Sequence, residues 1–276
     1  LAIGRLKMKG TRDLNFHPAD QIKRVRLVKR SDGYYVQFCV QVDRTEDIKP
    51  TGKAIGLDVG LKEFYTDSDG NTAVNPQVYR QAELKLKRTQ RSVSRKQKGS
   101  SNRAKAVRRL GQVHLKVSRQ RKDHAVKLAR CVITSNDVVV YEDLRIKNLV
   151  KNHCLAKSIN DAGWYQFRIW LEYFAHVFGK VTVAVNPAYT SQECSACGTV
   201  VQQSRSTRTH TCQCGCELDR DHNAAINILN AGLRTVGHTG TFGLDPINAW
   251  GEMTATESGA TLVQQIASQR QESPSF

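Results

Sequence analysis

The sequence predicts an α/β protein, and three observations predict it: short β-branched strands that run into carboxylates, a long helical stretch between two of them, and a late cluster of paired cysteines. With 276 residues, 39% of them hydrophobic, there is enough apolar material for one large or two modest domains.

In chain order, Ile22, Arg24, Arg26 and Val28 alternate in strand fashion, as do Tyr34, Val36, Phe38, Val40 and Val42, with Ser31-Asp32-Gly33 as the turn between them. This predicts a hairpin from a β domain. Lys53 to Val59 is a short apolar strand that reaches Asp58 and Gly60, and 64–66 with 72–74 form a second hairpin about a Ser-Asp-Gly-Asn turn. From Gln77 to Ile133 the period becomes helical, with a break at 98–102, and the second half places Ala106, Leu110, Val113, Val117, Ala125, Leu128 and Val132 on one face. Asp137 to Tyr141 is a β-branched strand entering Glu142. Gly163 to Phe178 is an aromatic-rich helix whose Trp164, Tyr165, Phe167 and Trp170 have the spacing of core residues. Val181 to Val185 is a strand stopped by Asn186-Pro187, and Asp221 to Leu233 carries helix start and stop signals. Residues 251–276, rich in Thr, Ser, Gln and Gly, are expected to form a disordered tail.

The net charge of +17 points to a polyphosphate partner. Its distribution says more than its size. From Arg80 to Arg130 there are 18 Lys or Arg against Glu83 and Asp123, a net of +16, so the rest of the chain is nearly neutral. Such a segment repels itself unless it lies along phosphates, and the scarcity of aromatics within it favours backbone contact over base stacking. Candidate contacts are Arg88, Arg91, Arg95, Lys96, Arg103, Lys105, Arg108 and Arg109. No run of 18 apolar residues and no signal-peptide pattern is present, so the expectation is a cytoplasmic protein without a membrane partner.

Five of the eight cysteines lie between Cys194 and Cys216, a clustering that points to metal rather than disulfides. Cys194 and Cys197 form one knuckle of a zinc ribbon over 190–216. Cys212, Cys214 and Cys216 offer three thiols for the two places of the other. Cys212 and Cys214 are favoured, because Gly215 after Cys214 mirrors Gly198 after Cys197. Cys216 is the substitute and His210 the weaker one.

Three acids stand out by position: Asp58 and Glu142 at the ends of strands, and Asp221 at the start of a helix, with Asp219 as a competitor for the third place. In an RNase H-type arrangement the two strands lie parallel and adjacent, so both carboxylates emerge at one sheet edge. Three carboxylates together are costly unless Mg2+ or Mn2+ neutralises them, and two such ions would support phosphodiester hydrolysis.

The segments AIGLDVGLKEF (54–64), VVVYEDLRIKNL (138–149), TSQECSACG (190–198) and CQCGCELDRDHNAAINIL (212–229) resemble, in order and spacing, the split RuvC motifs and inserted zinc ribbon of the TnpB/OrfB family of transposon-encoded proteins. The resemblance covers roughly residues 1–250. It implies an RNase H-like (RuvC) nuclease domain over 53–250, with a basic helical insertion at 80–130 and the zinc ribbon inside it. It further implies Asp58, Glu142 and Asp221 as catalytic acids, and Cys194, Cys197, Cys212 and Cys214 as zinc ligands. The implied activity is RNA-guided DNA cleavage with a guide RNA as partner. Family members carry a helical region and the first part of a β-barrel upstream; here residues 1–48 are expected to supply only the barrel's later strands, and Leu1 is not an initiator methionine. Two other functions stay open on the sequence: a non-catalytic nucleic-acid-binding protein that regulates transposition, and a transposase that joins DNA ends, for which no end-recognition element is visible.

Overall fold

In the computed structural model, residues 9–10, 16–204 and 207–235 are described; the expected tail at 251–276 lies outside them. They fall into two compact units. One holds residues up to Arg44 together with Thr89–Leu115, the other Thr45–Arg88 together with residues from Lys116 onward.

The first unit contains the hairpin β1 (Ile22–Arg30) and β2 (Gly33–Val40), closed by a two-residue turn at Ser31-Asp32. It also contains the end of helix α1 (Val78–Ser94) and the start of helix α2 (Ser101–Ser135). The break expected at 98–102 falls at 95–100. Gly99 there takes a left-handed φ of 82°, and the Ser100 hydroxyl accepts from the Arg103 amide to start α2. Helix α2 meets the hairpin turn at Gly111, where an added Cβ would strike the Ser31 side chain, and Arg108 Nε donates to the Ser31 carbonyl at 3.3 Å.

The second unit is built on a five-stranded sheet in the order β5-β4-β3-β6-β7. Strands β3 (Ala54–Val59), β6 (Val138–Glu142) and β7 (Val181–Val185) are parallel, whereas β4 (Glu63–Asp67) and β5 (Thr72–Val74) are added antiparallel by hairpins. Strand alternation sorts the side chains onto two faces. Ile55, Leu57, Val139 and Tyr141 face one core with Ala129 and Ile133 of α2 and with Phe167, Leu171 and Phe174 of helix α5 (Trp164–Val177). Phe64 and Phe167 meet edge to face there, with ring centroids 5.1 Å apart. Deleting either ring would cost about 3–5 kcal/mol. Val138, Val140, Val181, Val183 and Val185 face the opposite way, onto Ile228, Leu229 and Leu233 of helix α6 (Arg220–Thr235).

Buried polar groups fix the ends of these elements. The buried Asp161 carboxylate accepts from the Tyr79 and Arg80 amides at the start of α1 and pairs with Arg121 Nε at 3.2 Å, so a charge held out of water is fully partnered. Asp137, just before β6, accepts from the Thr51 and Gly52 amides and pairs with Lys180 before β7, tying the starts of three parallel strands together.

Several details depart from expectation. Helices α3 (Ile146–Leu149) and α4 (His153–Ala162) have no counterpart in the sequence reading; α4 is capped by the Asn152 side chain and separated from α5 by the left-handed Gly163. Tyr165 is 64% exposed, on the solvent side of α5, whereas Trp164 and Phe167 are in the core. Among the described residues no helix is long and apolar enough to cross a membrane.

Candidate functional site

Asp58 and Glu142 each follow by one residue the last registered pair of the two parallel strands, Leu57 and Tyr141. Alternation therefore puts both acids on the face that carries α6, with Gly56 and Val140. The helix is seated there by two glycines. An added Cβ on Gly56 would lie 2.7 Å from Leu229 N and would clash with the Ala225 carbonyl, and one on Gly232 would clash with the Val140 side chain. From the Gly56 seat, two residues along β3 cover about 6.6 Å to Asp58. One turn back along α6 from Ala225 covers about 6 Å to Asp221. Both paths lead to the same end of the sheet.

The electrostatics agree. Burial pushes the Asp58 carboxyl well above the usual carboxylate range, and the charges of Glu142 and Asp221 push it further, against Arg220. Burial also raises Glu142, opposed by the Thr190 hydroxyl, which donates to its Oε1 at 2.6 Å. Asp221 has two cations beside it: Arg208 Nη1 lies 3.0 Å and Arg220 Nη2 3.5 Å from its carboxylate. Asp219, the competitor, is committed to the helix start, its Oδ1 accepting from the Asp221 amide at 2.9 Å and from the His222 amide at 3.4 Å.

Beside the acids, the Sγ atoms of Cys194, Cys197, Cys212 and Cys214 all lie within 4.8 Å of one another. Cys194 and Cys214 are 3.7 Å apart, and Cys197 and Cys212 3.6 Å. A zinc ion with sulfur at about 2.3 Å in tetrahedral geometry needs a sulfur-to-sulfur distance of roughly 3.8 Å, so the donor set fits the ion. Cys216 and His210 stand outside the set of four; both His210 ring nitrogens are buried without a hydrogen-bond partner. Gly198 and Gly215 both adopt left-handed φ, 74° and 89°, and turn their amides back to the Cys194 and Cys212 carbonyls. The Thr199 hydroxyl and amide hold the Cys197 thiol down at about 6. Cys214 accepts from the Cys216 amide, but its thiol hydrogen bonds with Cys197 and Cys212 outweigh this and push it up to about 12. The antiparallel pair β8 (Thr209–Thr211) and β9 (Glu217–Asp219) frames the second knuckle.

The knuckle is fastened to α6 by two asparagines that sequence reasoning missed. Asn223, fully buried, accepts from the Ser195 amide at 2.9 Å and donates to the Glu193 carbonyl at 2.7 Å; Asn227 donates to the Thr190 and Glu193 carbonyls. Their spacing of four within DHNAAIN was the available signal, since it puts two amides on one helix face.

Of the basic candidates, Arg88, Arg91, Arg95, Lys105, Arg108 and Arg109 are exposed, and Lys96 and Arg103 half-buried. Leu86, Val93, Ala106 and Val113 supply the buried faces of the same helices. Within the first unit a cavity of about 810 Å3 is lined by Lys29, Arg30 and Tyr34 from the hairpin and by Arg103 and Arg108 from α2. Lys29 and Arg30 belong to this basic surface although neither lies in the basic helical segment.

Fold and site define a mixed α/β protein with clustered acids at the ends of parallel strands and a four-cysteine knuckle able to hold zinc. The model of the OrfB_IS605 family, described as "Probable transposase", matches residues 37–153, and that of the "Cas12f1-like, TNB domain" matches residues 164–228. The chain belongs to the TnpB/OrfB family. It is 42% identical to a "Putative RNA-guided DNA endonuclease" of Streptomyces pristinaespiralis, over 66% of this chain and 46% of that protein. It is 31% identical to the "Putative RNA-guided DNA endonuclease InsQ" of Escherichia coli K12, over 76% of this chain and 57% of that protein. The chain thus spans about half the length of these relatives. A chain in the cryo-EM structure of a Cas12f1–sgRNA–target DNA complex superposes over 75% of this chain and 55% of its own length, at 16% identity and a TM-score of 0.47, too slight a likeness to argue from.

Proposed function

We propose that this chain is a metal-dependent DNA endonuclease of RuvC type, guided by RNA, in which Asp58, Glu142 and Asp221 hold two Mg2+ or Mn2+ ions. The observation that carries the proposal is the Asp58 carboxyl, half-buried at the end of β3 where β6 ends beside it with Glu142, and raised well above its ordinary range by desolvation and by the charges of Glu142 and Asp221. A protein gains nothing in stability from such a cluster, and perturbed acids of this kind gather where chemistry is done. Hard carboxylate oxygens suit Mg2+ or Mn2+, which would activate water and offset charge on the leaving oxygen of a phosphodiester.

The split arrangement supports the same assignment. β3, β6 and α6 each bring one acid, with the basic helices inserted between the first two and the cysteine knuckle before the third. Thr190 fixes the Glu142 carboxylate, and Arg208 with Arg220 offsets Asp221. The exposed cations of the basic helices would follow the phosphates of a guide and target. Residues 1–48 would contribute the later strands of a β-barrel, and the cysteine ligands would hold one structural zinc. Relatives named as RNA-guided DNA endonucleases favour RNA as the source of sequence recognition.

The test is cleavage of single- and double-stranded DNA with Mg2+, with and without co-purified RNA, by the chain and by Asp58→Ala. Metal-dependent cutting that the substitution abolishes is expected, and a requirement for RNA would establish guiding. Salt-sensitive binding with no cutting under any of these conditions would make the chain a non-catalytic nucleic-acid-binding relative.

A further inference from the structure

We infer that Thr190 is a positioning residue that links the cysteine knuckle to the acid cluster, so that the state of the zinc site sets how well Glu142 can hold a divalent cation. The inference rests on the assignment of a cation site to Asp58, Glu142 and Asp221. Thr190 is buried and lies in the loop between β7 and Cys194. Its hydroxyl reaches Glu142 Oε1 at 2.6 Å, against 3.3 Å to the Pro187 carbonyl, so the carboxylate has the better claim on its single proton.

The backbone of Thr190 is held from the other side. Its carbonyl accepts from Asn227 at 2.9 Å, and Asn227 also reaches the Glu193 carbonyl, which Asn223 shares next to Cys194. A continuous set of short hydrogen bonds thus runs from the first cysteine pair, across the same helix that carries Asp221, to Glu142. The loop accepts a cost to turn Thr190 inward. The preceding Tyr189 is not a glycine yet has a left-handed φ of 65°, a conformation that is disfavoured for L residues. The Gln192 and Glu193 amides both close onto the Tyr189 carbonyl, and Asn186 Oδ1 accepts from the Ala188 amide, which holds that turn in place.

Partners that orient metal-binding carboxylates are generally worth about 10–100-fold in metal affinity. The experiment is a titration of the full chain with Mn2+, read by electron paramagnetic resonance of the free ion, for wild type, Thr190→Val, Thr190→Ser and Asp58→Ala, each with zinc bound and after zinc removal, with circular dichroism as the check on folding. Thr190→Val keeps the shape and removes the hydroxyl; it is expected to weaken Mn2+ binding about tenfold, and Thr190→Ser to restore most of the loss. Zinc removal is expected to weaken Mn2+ binding in wild type but to add little in Thr190→Val, the non-additivity expected of two changes acting through one link. Wild-type affinity in Thr190→Val, or zinc and Thr190 effects that simply add, overturns the link. Should Asp58→Ala bind Mn2+ as wild type does, the cation site itself is misassigned, an outcome distinct from failure of the link.

Discussion

Gly56 of β3 and Leu229 of α6 meet backbone to backbone: a Cβ added to Gly56 would stand 2.7 Å from Leu229 N and 2.8 Å from Leu229 Cβ. This close approach brings the helix start, and with it Asp221, to the end of the strand that carries Asp58. Gly56→Ala has no flexible side chain to push aside and is expected to cost about 1–3 kcal/mol or more, lowering Tm by several degrees. It should depress DNA cleavage beyond that loss of stability. Thermal unfolding and a cleavage assay well below Tm would check it, and an unchanged Tm would show that the two backbones can part freely.

The raised Asp58 carboxyl has a definite sign in pH. A carboxyl whose folded value lies above its ordinary 3.8 contributes most below 3.8, and the contribution is lost as pH climbs through the folded value. In metal-free buffer, Asp58→Asn should therefore gain in stability relative to wild type as pH rises from about 4 toward neutrality, and Mg2+ should narrow the gap. Urea unfolding of both proteins over that range, with and without Mg2+, is the measurement. A gap that stays constant with pH would mean that Asp58 ionises freely.

The four-sulfur geometry predicts one zinc per chain. Cys197→Ser should lose it and Cys216→Ser should keep it, since only Cys194, Cys197, Cys212 and Cys214 share the close cluster. Elemental analysis of the purified variants decides between them; loss of zinc from Cys216→Ser would make that thiol a ligand after all.

Neutralising Arg103, Lys105, Arg108 and Arg109 to Gln should weaken nucleic-acid binding without abolishing it. For every duplex phosphate that these side chains cease to neutralise, the slope of log K against log salt should become shallower by about 0.9. Binding isotherms between low and physiological salt give the slope; an unaltered slope would remove these residues from the interface.

Much of the second unit could be read from the sequence because local patterns and tertiary packing agree there. Val138–Tyr141 is a largely β-branched run buried on both faces, Val181–Val185 is buried except at Ala184, and Asp58 and Glu142 stand at the ends of their parallel strands. The knuckles were legible for a similar reason, since the Cys-x-x-Cys and Cys-x-Cys spacings with their glycines are purely local. What escaped was set by distant partners. The strands β8 and β9 are three residues each within a polar stretch that has no periodicity, and their pairing is imposed by the knuckle between them. α4 rests on the Asn152 cap and the left-handed Gly163 more than on a long apolar face. Asp67 and Asp143 look like surface acids in sequence. Asp143 is indeed exposed and pairs with Arg168, whereas Asp67 is half-buried and receives the Asp69 and Asn71 amides of its turn. Nothing local to Thr190 announces that its hydroxyl will meet a glutamate 48 positions earlier.

Helix α6 engages different neighbours around its circumference: Gly232 against Val140, Asn223 and Asn227 on the loop before the cysteines, Asp221 among the acids, and His222 beside the Ser68 carbonyl. Each α-helical residue advances the rotation by about 100°. A single residue inserted or deleted between Asp221 and Gly232 would swing every one of these appointments out of phase at once. Descent with modification can therefore exchange side chains along this helix, but it cannot change the helix's length one step at a time.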